Sequence, residues 1–255
     1  MIEVKDDLDR ALSFQNPPQK IVSLVPSLSE LIVDLGGLEK LVGVTKFCVH
    51  PLELRTKCKI IGGTKTVNSE KVKSLNPDLI IANKEENNKG QIENLCLTEK
   101  VYITDIQNVN QSLQTIQKFG IILNESKKAD SILNCIKKTL TQTFFNDQKV
   151  LYLIWKNPWM SIGADTYIHD LIEHLGLKSI TENLFRYPEL SEKELSGLDP
   201  DIIMLSSEPF PFSQKHVQGV KSLFPNSKII LVDGEAFSWY GSRLMHLEKY
   251  FDQLK

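Results

Sequence analysis

Apolar and polar positions follow two alternating periods along this chain. Residues 21–25 (IVSLV) form a short β-branched run that stops at Pro26, the pattern of a buried strand. Ser27, with Glu30 three residues on, reads as a capping box. It opens a helix through Leu31, Ile32 and Leu35 that ends at Gly36-Gly37. Residues 41–45 (LVGVT) are the next strand, so the chain begins β-α-β, the signature of a parallel sheet. Strands follow at 59–63, 78–82 and 100–104, with helices starting near Asn68 and over 87–97. From Asn124 onward, Ala129, Ile132, Leu133, Ile136, Leu140 and Phe144 recur at helical spacing. They predict one helix reaching Phe145, roughly 30 Å long. The strand pattern then resumes at 149–154, 201–205 and 228–232, with a short strand near 159–162. Helices are expected over 167–175 and 242–254.

The two halves resemble each other. Ser69-Glu70-Lys71 and Pro77-Asp78 recur as Ser191-Glu192-Lys193 and Pro200-Asp201, each copy reading helix, Pro-Asp turn, buried strand. The spacing is 122 residues at the first motif and 123 at the second, so one inserted residue is expected. The predicted architecture is α/β: two Rossmann-like lobes, residues 1–120 and 147–255, joined by a connecting helix over 121–146, with a ligand cleft between them.

Composition narrows the function. Of 255 residues, 30 are Lys or Arg and 32 Asp or Glu, which argues against a nucleic-acid-binding surface. No apolar run is long enough to span a bilayer, so the chain is not expected to be membrane-embedded. Residues 1–20 are polar and lack the apolar core of a signal peptide, leaving two expectations: a cytoplasmic protein, or one whose leader has been removed. Cys48, Cys58, Cys96 and Cys135 show no zinc-like spacing and read as reduced thiols. No GxSxG, P-loop or GxGxxG motif is present, so no catalytic residues are expected.

In open parallel sheets, ligands sit beyond the carboxyl ends of the strands. In the first half those positions hold Pro26, Ser27, Phe47, His50, Pro51, Thr64 and Lys65. In the second they are markedly aromatic: Trp155, Trp159, Phe210, Phe212, Phe237, Trp239 and Tyr240, with Arg243 just beyond. Wide flat rings suit a large planar ligand, although they can equally serve packing. Residues 21–31, Ile61-Gly62-Gly63, Leu75-Asn76-Pro77-Asp78-Leu79-Ile80 and the stretch following Trp239 occur in the order seen in the cobalamin, siderophore and haem substrate-binding proteins of ABC importers. The chain resembles that family over nearly its whole length. It is most similar to the cobalamin branch, where Cys48-Val49-His50-Pro51 stands in place of an aromatic-Pro loop.

The resemblance implies a non-catalytic, monomeric receptor for a corrinoid or related metal chelate, carried as cargo rather than cofactor, in the periplasm or cell envelope. It implies docking of an ABC permease through an acidic residue on each lobe, Glu70 and Glu192. Counting back seven residues from Pro200 lands instead on Lys193, a departure from the pattern. His50 can serve as an axial metal ligand or simply hydrogen-bond. The alternative is a chelatase-like enzyme or scaffold of the same architecture, for which His50 and Glu208 would be the acid/base pair.

Overall fold

A computed structural model describes residues 1–142 and 144–252 and divides the chain into two compact units. The first comprises Met1–Ile106, Asn110–Ile136 and Tyr240–Met245. It opens with an antiparallel hairpin, β1 (Ile2–Lys5) and β2 (Ala11–Phe14). There follow β3 (Ile21–Ser23), α1 (Pro26–Asp34), β4 (Leu41–Val44), α2 (Leu54–Lys57), β5 (Lys59–Ile60) and α3 (Ser69–Ser74). Then come β6 (Leu79–Asn83), α4 (Lys89–Cys96), β7 (Val101–Thr104), α5 (Val109–Leu123) and α6 (Ser126–Leu140). Strands β3–β7 make one parallel sheet in the order β5-β4-β3-β6-β7. The chain therefore winds outward in one direction from β3 and in the other from β6, and the reversal lies between those two central strands.

The second unit comprises Gln107–Val109, Lys137–Trp239 and the stretch from His246 onward. Its elements are β8 (Gln148–Leu153), β9 (Trp159–Met160), α7 (Tyr167–His174), β10 (Leu177–Ser179), β11 (Glu189–Leu190) and α8 (Glu192–Ser196). They continue as β12 (Ile202–Ser206), α9 (Gln214–Leu223), β13 (Lys228–Val232), α10 (Gly234–Ser238) and α11 (Leu247–Asp252). Its parallel sheet runs β10-β8-β12-β13, with β9 and β11 paired as a separate antiparallel ribbon. The α/β fold with parallel-sheet lobes is therefore the architecture of this chain.

The internal repeat is tighter than the motifs suggest. The helix caps Asn68 and Ser191, the buried Val72 and Leu195, and the first residues of β6 and β12 all lie 123 apart. No residue is inserted. The Ser-Glu-Lys match is one position out of structural register, because serine caps α8 whereas asparagine caps α3 and Ser69 already lies inside that helix.

Three expectations change. Ser27 does not cap α1: the helix begins at Pro26 in the first-turn position proline favours, and Val25 makes no side-chain cap. The expected long helix is instead α6, with α5 before it, and residue 143 of the expected span lies outside the described residues. The closing helix is replaced by a 3-10 turn over Gly241–His246 followed by α11, and residues 253–255 lie outside the described residues.

What the expectation missed is α5; the start it gave, Asn124, falls at the break between α5 and α6. Asn124 makes it by adopting a left-handed φ of 59°. Gly120 then lets the helices approach, since a Cβ there would stand 2.5 Å from the Cβ of Ala129. Gly120→Ala should cost about 1–3 kcal/mol in denaturant unfolding, and Ala129→Gly in that background should restore part of it.

Candidate functional site

In the first unit, the carboxyl ends of β3 and β6 converge where the winding reverses. Asn83, the last residue of β6, accepts from the backbone amides of Glu85 (2.8 Å) and Glu86 (2.9 Å). Asn87 accepts from the Asn83 amide (2.8 Å) and donates to the carbonyls of Leu24 and Thr64. This amide-locked turn sets Glu86 beside Tyr240, whose hydroxyl donates to Oε1 at 2.7 Å. Tyr240 stays protonated well beyond the ordinary phenol range, first because it is buried and then because Glu86 opposes a phenolate. Ser27 faces the same hydroxyl.

One turn along α1, Glu30 pairs with Arg243 at 2.9 Å, with only 12% and 14% of their side chains exposed. Burial raises the Glu30 carboxyl above its usual range, while the charges of Arg243 and His50 oppose that rise. A donation from the Gly241 amide to Ser112 Oγ (2.8 Å) completes the attachment of this segment to the first unit. Around the same sheet edge, Phe47 is 49% exposed, His50, Pro51 and Thr64 are half-buried, and exposed Lys65 donates to the Glu85 carbonyl. Cys48 is buried between Ser29 (3.1 Å) and Thr45 (3.2 Å), and burial raises its thiol pKa, so it is a packed thiol and not a thiolate ligand.

In the second unit, the corresponding edge carries an aromatic group. Trp155, 36% exposed, meets Phe210 edge-on at 5.6 Å; Phe210 lies 4.7 Å from Phe212, which stacks on Trp159. Lys156 lies over the Trp159 ring. The same unit also carries a polar thread. Tyr152 donates to Ser206 (3.2 Å), Ser206 to the Glu208 carbonyl (2.6 Å), and Ser238 to Glu208 Oε1 (2.7 Å). Gly234 is required there, because a Cβ would lie 2.3 Å from Cγ of Glu208.

The expected ligand set therefore divides. Trp155 and Phe210 stand at the solvent side, and Trp159 and Phe212 are mostly core. Trp239 is buried. Phe237, expected at the ligand, is 0% exposed and packs on Tyr152, Tyr250 and Phe251. Pro26 and Ser27 are likewise buried. Two features escaped the sequence reading. Glu86 was overlooked, although the Asn-rich turn after β6 signalled a fixed backbone there. Phe185 (72% exposed) and Tyr187 (36%) follow β10, a three-residue strand too short for a periodicity signal.

Among the described residues, no group of three or more His, Cys, Asp or Glu side chains is placed to hold a metal ion. What the two edges offer is ring stacking and hydrogen bonding to an organic ligand. A sequence model for periplasmic binding proteins matches residues 21–223. The chain belongs to the periplasmic binding protein family. Its relatives in this family are substrate-binding proteins, not enzymes, and the chelatase alternative finds no support.

As a periplasmic binding protein, the chain is 26% identical over 217 residues to the uncharacterized ABC transporter substrate-binding lipoprotein YvrC of Bacillus subtilis, covering 80% of this chain and 68% of that one. It is 23% identical over 212 residues to the cobalamin-binding protein of Halobacterium salinarum, covering 78% of this chain but little more than half, 57%, of that one. The fold matches the crystal structure of a possible iron-binding periplasmic solute-binding protein of Staphylococcus epidermidis, with a TM-score of 0.78 at 22% identity, covering 94% and 99% of the two chains. No helix among the described residues is long and apolar enough to cross a membrane.

Removing Arg243 leaves Glu30 charged and half-desolvated. Because burial raises the Glu30 pKa in the folded protein, its ionisation costs stability as pH rises through the carboxylate range, and Arg243 offsets that cost. Arg243→Ala should therefore destabilise by about 2–4 kcal/mol near neutrality and by much less in acid, where Glu30 is protonated. Thermal melts across that range, with the double variant Glu30→Gln/Arg243→Met recovering most of the loss, check this.

Proposed function

We propose that this protein captures a cobalamin-like corrinoid or related metal chelate at the carboxyl edges of its sheets and delivers it to an ABC importer at the cell envelope. The observation carrying this reading is the aromatic group at the second edge, Trp155 and Phe210 above Phe212 and Trp159, in a chain of the periplasmic binding protein family. Rings of this kind bind flat macrocycles through area and quadrupole geometry without covalent chemistry. The names of the relatives point the same way, one cobalamin-binding, one possibly iron-binding and one a transporter lipoprotein. Trp155, Phe210 and Phe47 are the ligand-facing residues in this reading, joined by Phe185 and Tyr187, with Thr64, Lys65 and the His50-Pro51 loop at the rim, while Tyr240, expected at the ligand, is buried and holds Glu86 instead. His50 then acts as a hydrogen-bonding or axial group.

Permease docking falls to Glu70, exposed in the first turn of α3. In the second unit it falls to Glu192, exposed in the first turn of α8. Lys193, not Glu192, occupies the register position equivalent to Glu70, so the second contact uses a carboxylate one residue earlier. Charge pairs at such an interface steer encounter and fix orientation more than they add affinity.

The test is to mix the purified protein with cyanocobalamin, haem and a ferric siderophore in turn, following absorbance and melting temperature. A bound chelate at a hundredfold excess over its Kd should stabilise by about 2.7 kcal/mol. Trp155→Ala should weaken binding about tenfold or more. No response to any of the three refutes the chelate reading.

A further inference from the structure

We infer that Lys156, Lys215 and the Nε2–H of His216 form an oxyanion subsite beside the Trp155 and Phe210 rings, so that this receptor takes an anionic macrocycle with a carboxylate or phosphate at its rim. This deepens the chelate-binding reading above and rests on it.

All five residues belong to the second unit. Its sheet runs β10-β8-β12-β13, so the chain leaves β8 toward β10 and returns past β8 to β12. The winding therefore reverses between β8 and β12, the place where open parallel sheets hold ligands. Trp155 and Lys156 follow β8, and Phe210, Lys215 and His216 follow β12. The two loops are joined there. The Phe210 amide donates to the Ile154 carbonyl at 3.3 Å, and Trp155 meets Phe210 edge-on.

The histidine is fixed in one orientation. The Ser213 amide donates to Nδ1 of His216 at 3.0 Å, which puts the ring hydrogen on Nε2. Phe210 and Phe212 stand edge-on to the imidazole at 5.3 and 5.6 Å. No group among the described residues takes the Nε2 hydrogen. His216 is held below its ordinary pKa first by desolvation and then by the charges of Lys215 and Lys156, so both ammonium groups act at this ring. Lys156 lies over Trp159, 5.4 Å from its centroid, and Lys215 is exposed in the first turn of α9. Neither pairs with a carboxylate among the described residues. Glu208, on the same loop, accepts from Ser238 and is not among the charges that shift His216.

The rings and the cations divide the work. Aromatic faces reward flat area without regard to the charge of the ligand's rim. Two ammonium groups and an oriented N–H beside those faces supply the sign, and the positive end of the ten-residue α9 adds to it. One exposed lysine would count for little, but several donors converging beside a part-desolvated ring count for more.

The probes come in pairs. Haem is set against its dimethyl ester, and dicyanocobyrinic acid against its heptamethyl ester, to read carboxylates. Cyanocobalamin is set against dicyanocobinamide, which lacks the phosphodiester, to read phosphate. Titrations are followed by absorbance and tryptophan fluorescence. In at least one pair the acidic member should bind about tenfold or more tightly, and high salt should shrink that ratio. Lys156→Met, which keeps the stem on Trp159, and Lys215→Gln should each lower the ratio severalfold, and the double variant should bring it near one. Exposed Lys215 keeps the test valid if the Lys156 variant fails to fold. The pair that responds tells carboxylate from phosphate.

Equal binding within every pair, preference for the neutral member, or a ratio that the lysine variants do not lower overturns the proposal while leaving a chelate receptor intact. So does binding of a ferric siderophore with none of these macrocycles. If no chelate binds at all, the chelate reading fails and the proposal falls with it.

Discussion

Parallel pairing is the constraint on which everything else in this protein depends. When neighbouring strands run the same way, every segment that follows a strand emerges at one edge of the sheet, and every segment that precedes a strand emerges at the other. Here this happens twice, in sheets ordered β5-β4-β3-β6-β7 and β10-β8-β12-β13. Strands β6 and β12 are buried along all five residues and bring only their last ones, Asn83 and Ser206, into the hydrogen bonding at the edge. The acids, hydroxyls and rings accumulate in the turns they feed.

Most of that layout was legible because it rests on strong local signals. The runs at 21–25, 78–82 and 201–205 are apolar and bounded by turn residues, so their strands and the edge they feed follow directly. What could not be read depends on partners distant in sequence. Phe237 looks like Trp155 when only spacing is considered, yet one is enclosed by Tyr152, Tyr250 and Phe251 and the other meets solvent. Ser27 and Glu30 carry a capping-box spacing, but Pro26 begins the helix one residue earlier and Glu30 turns instead to a guanidinium 213 positions away. The Ser-Glu-Lys repeat misleads by one position because Asn68 and Ser191 perform the same capping task with different side chains.

The site pairs its charges in two distinct ways. Glu30 meets a full opposite charge in Arg243 and is thereby committed to holding the fold together. Glu86 accepts the Tyr240 hydroxyl and Glu208 accepts the Ser238 hydroxyl, contacts that fix the direction of each carboxylate.

Tyr240–Met245 belongs to the first unit although the chain on either side belongs to the second. The first unit is therefore not a contiguous piece of sequence. A fragment stopped at residue 136 would keep Glu30, Glu86 and Ser112 but lose the guanidinium, the phenol and the amide that answer them. During synthesis, those three groups emerge only after every strand of the second sheet, so the first unit cannot close its contacts before the chain of the second has been made.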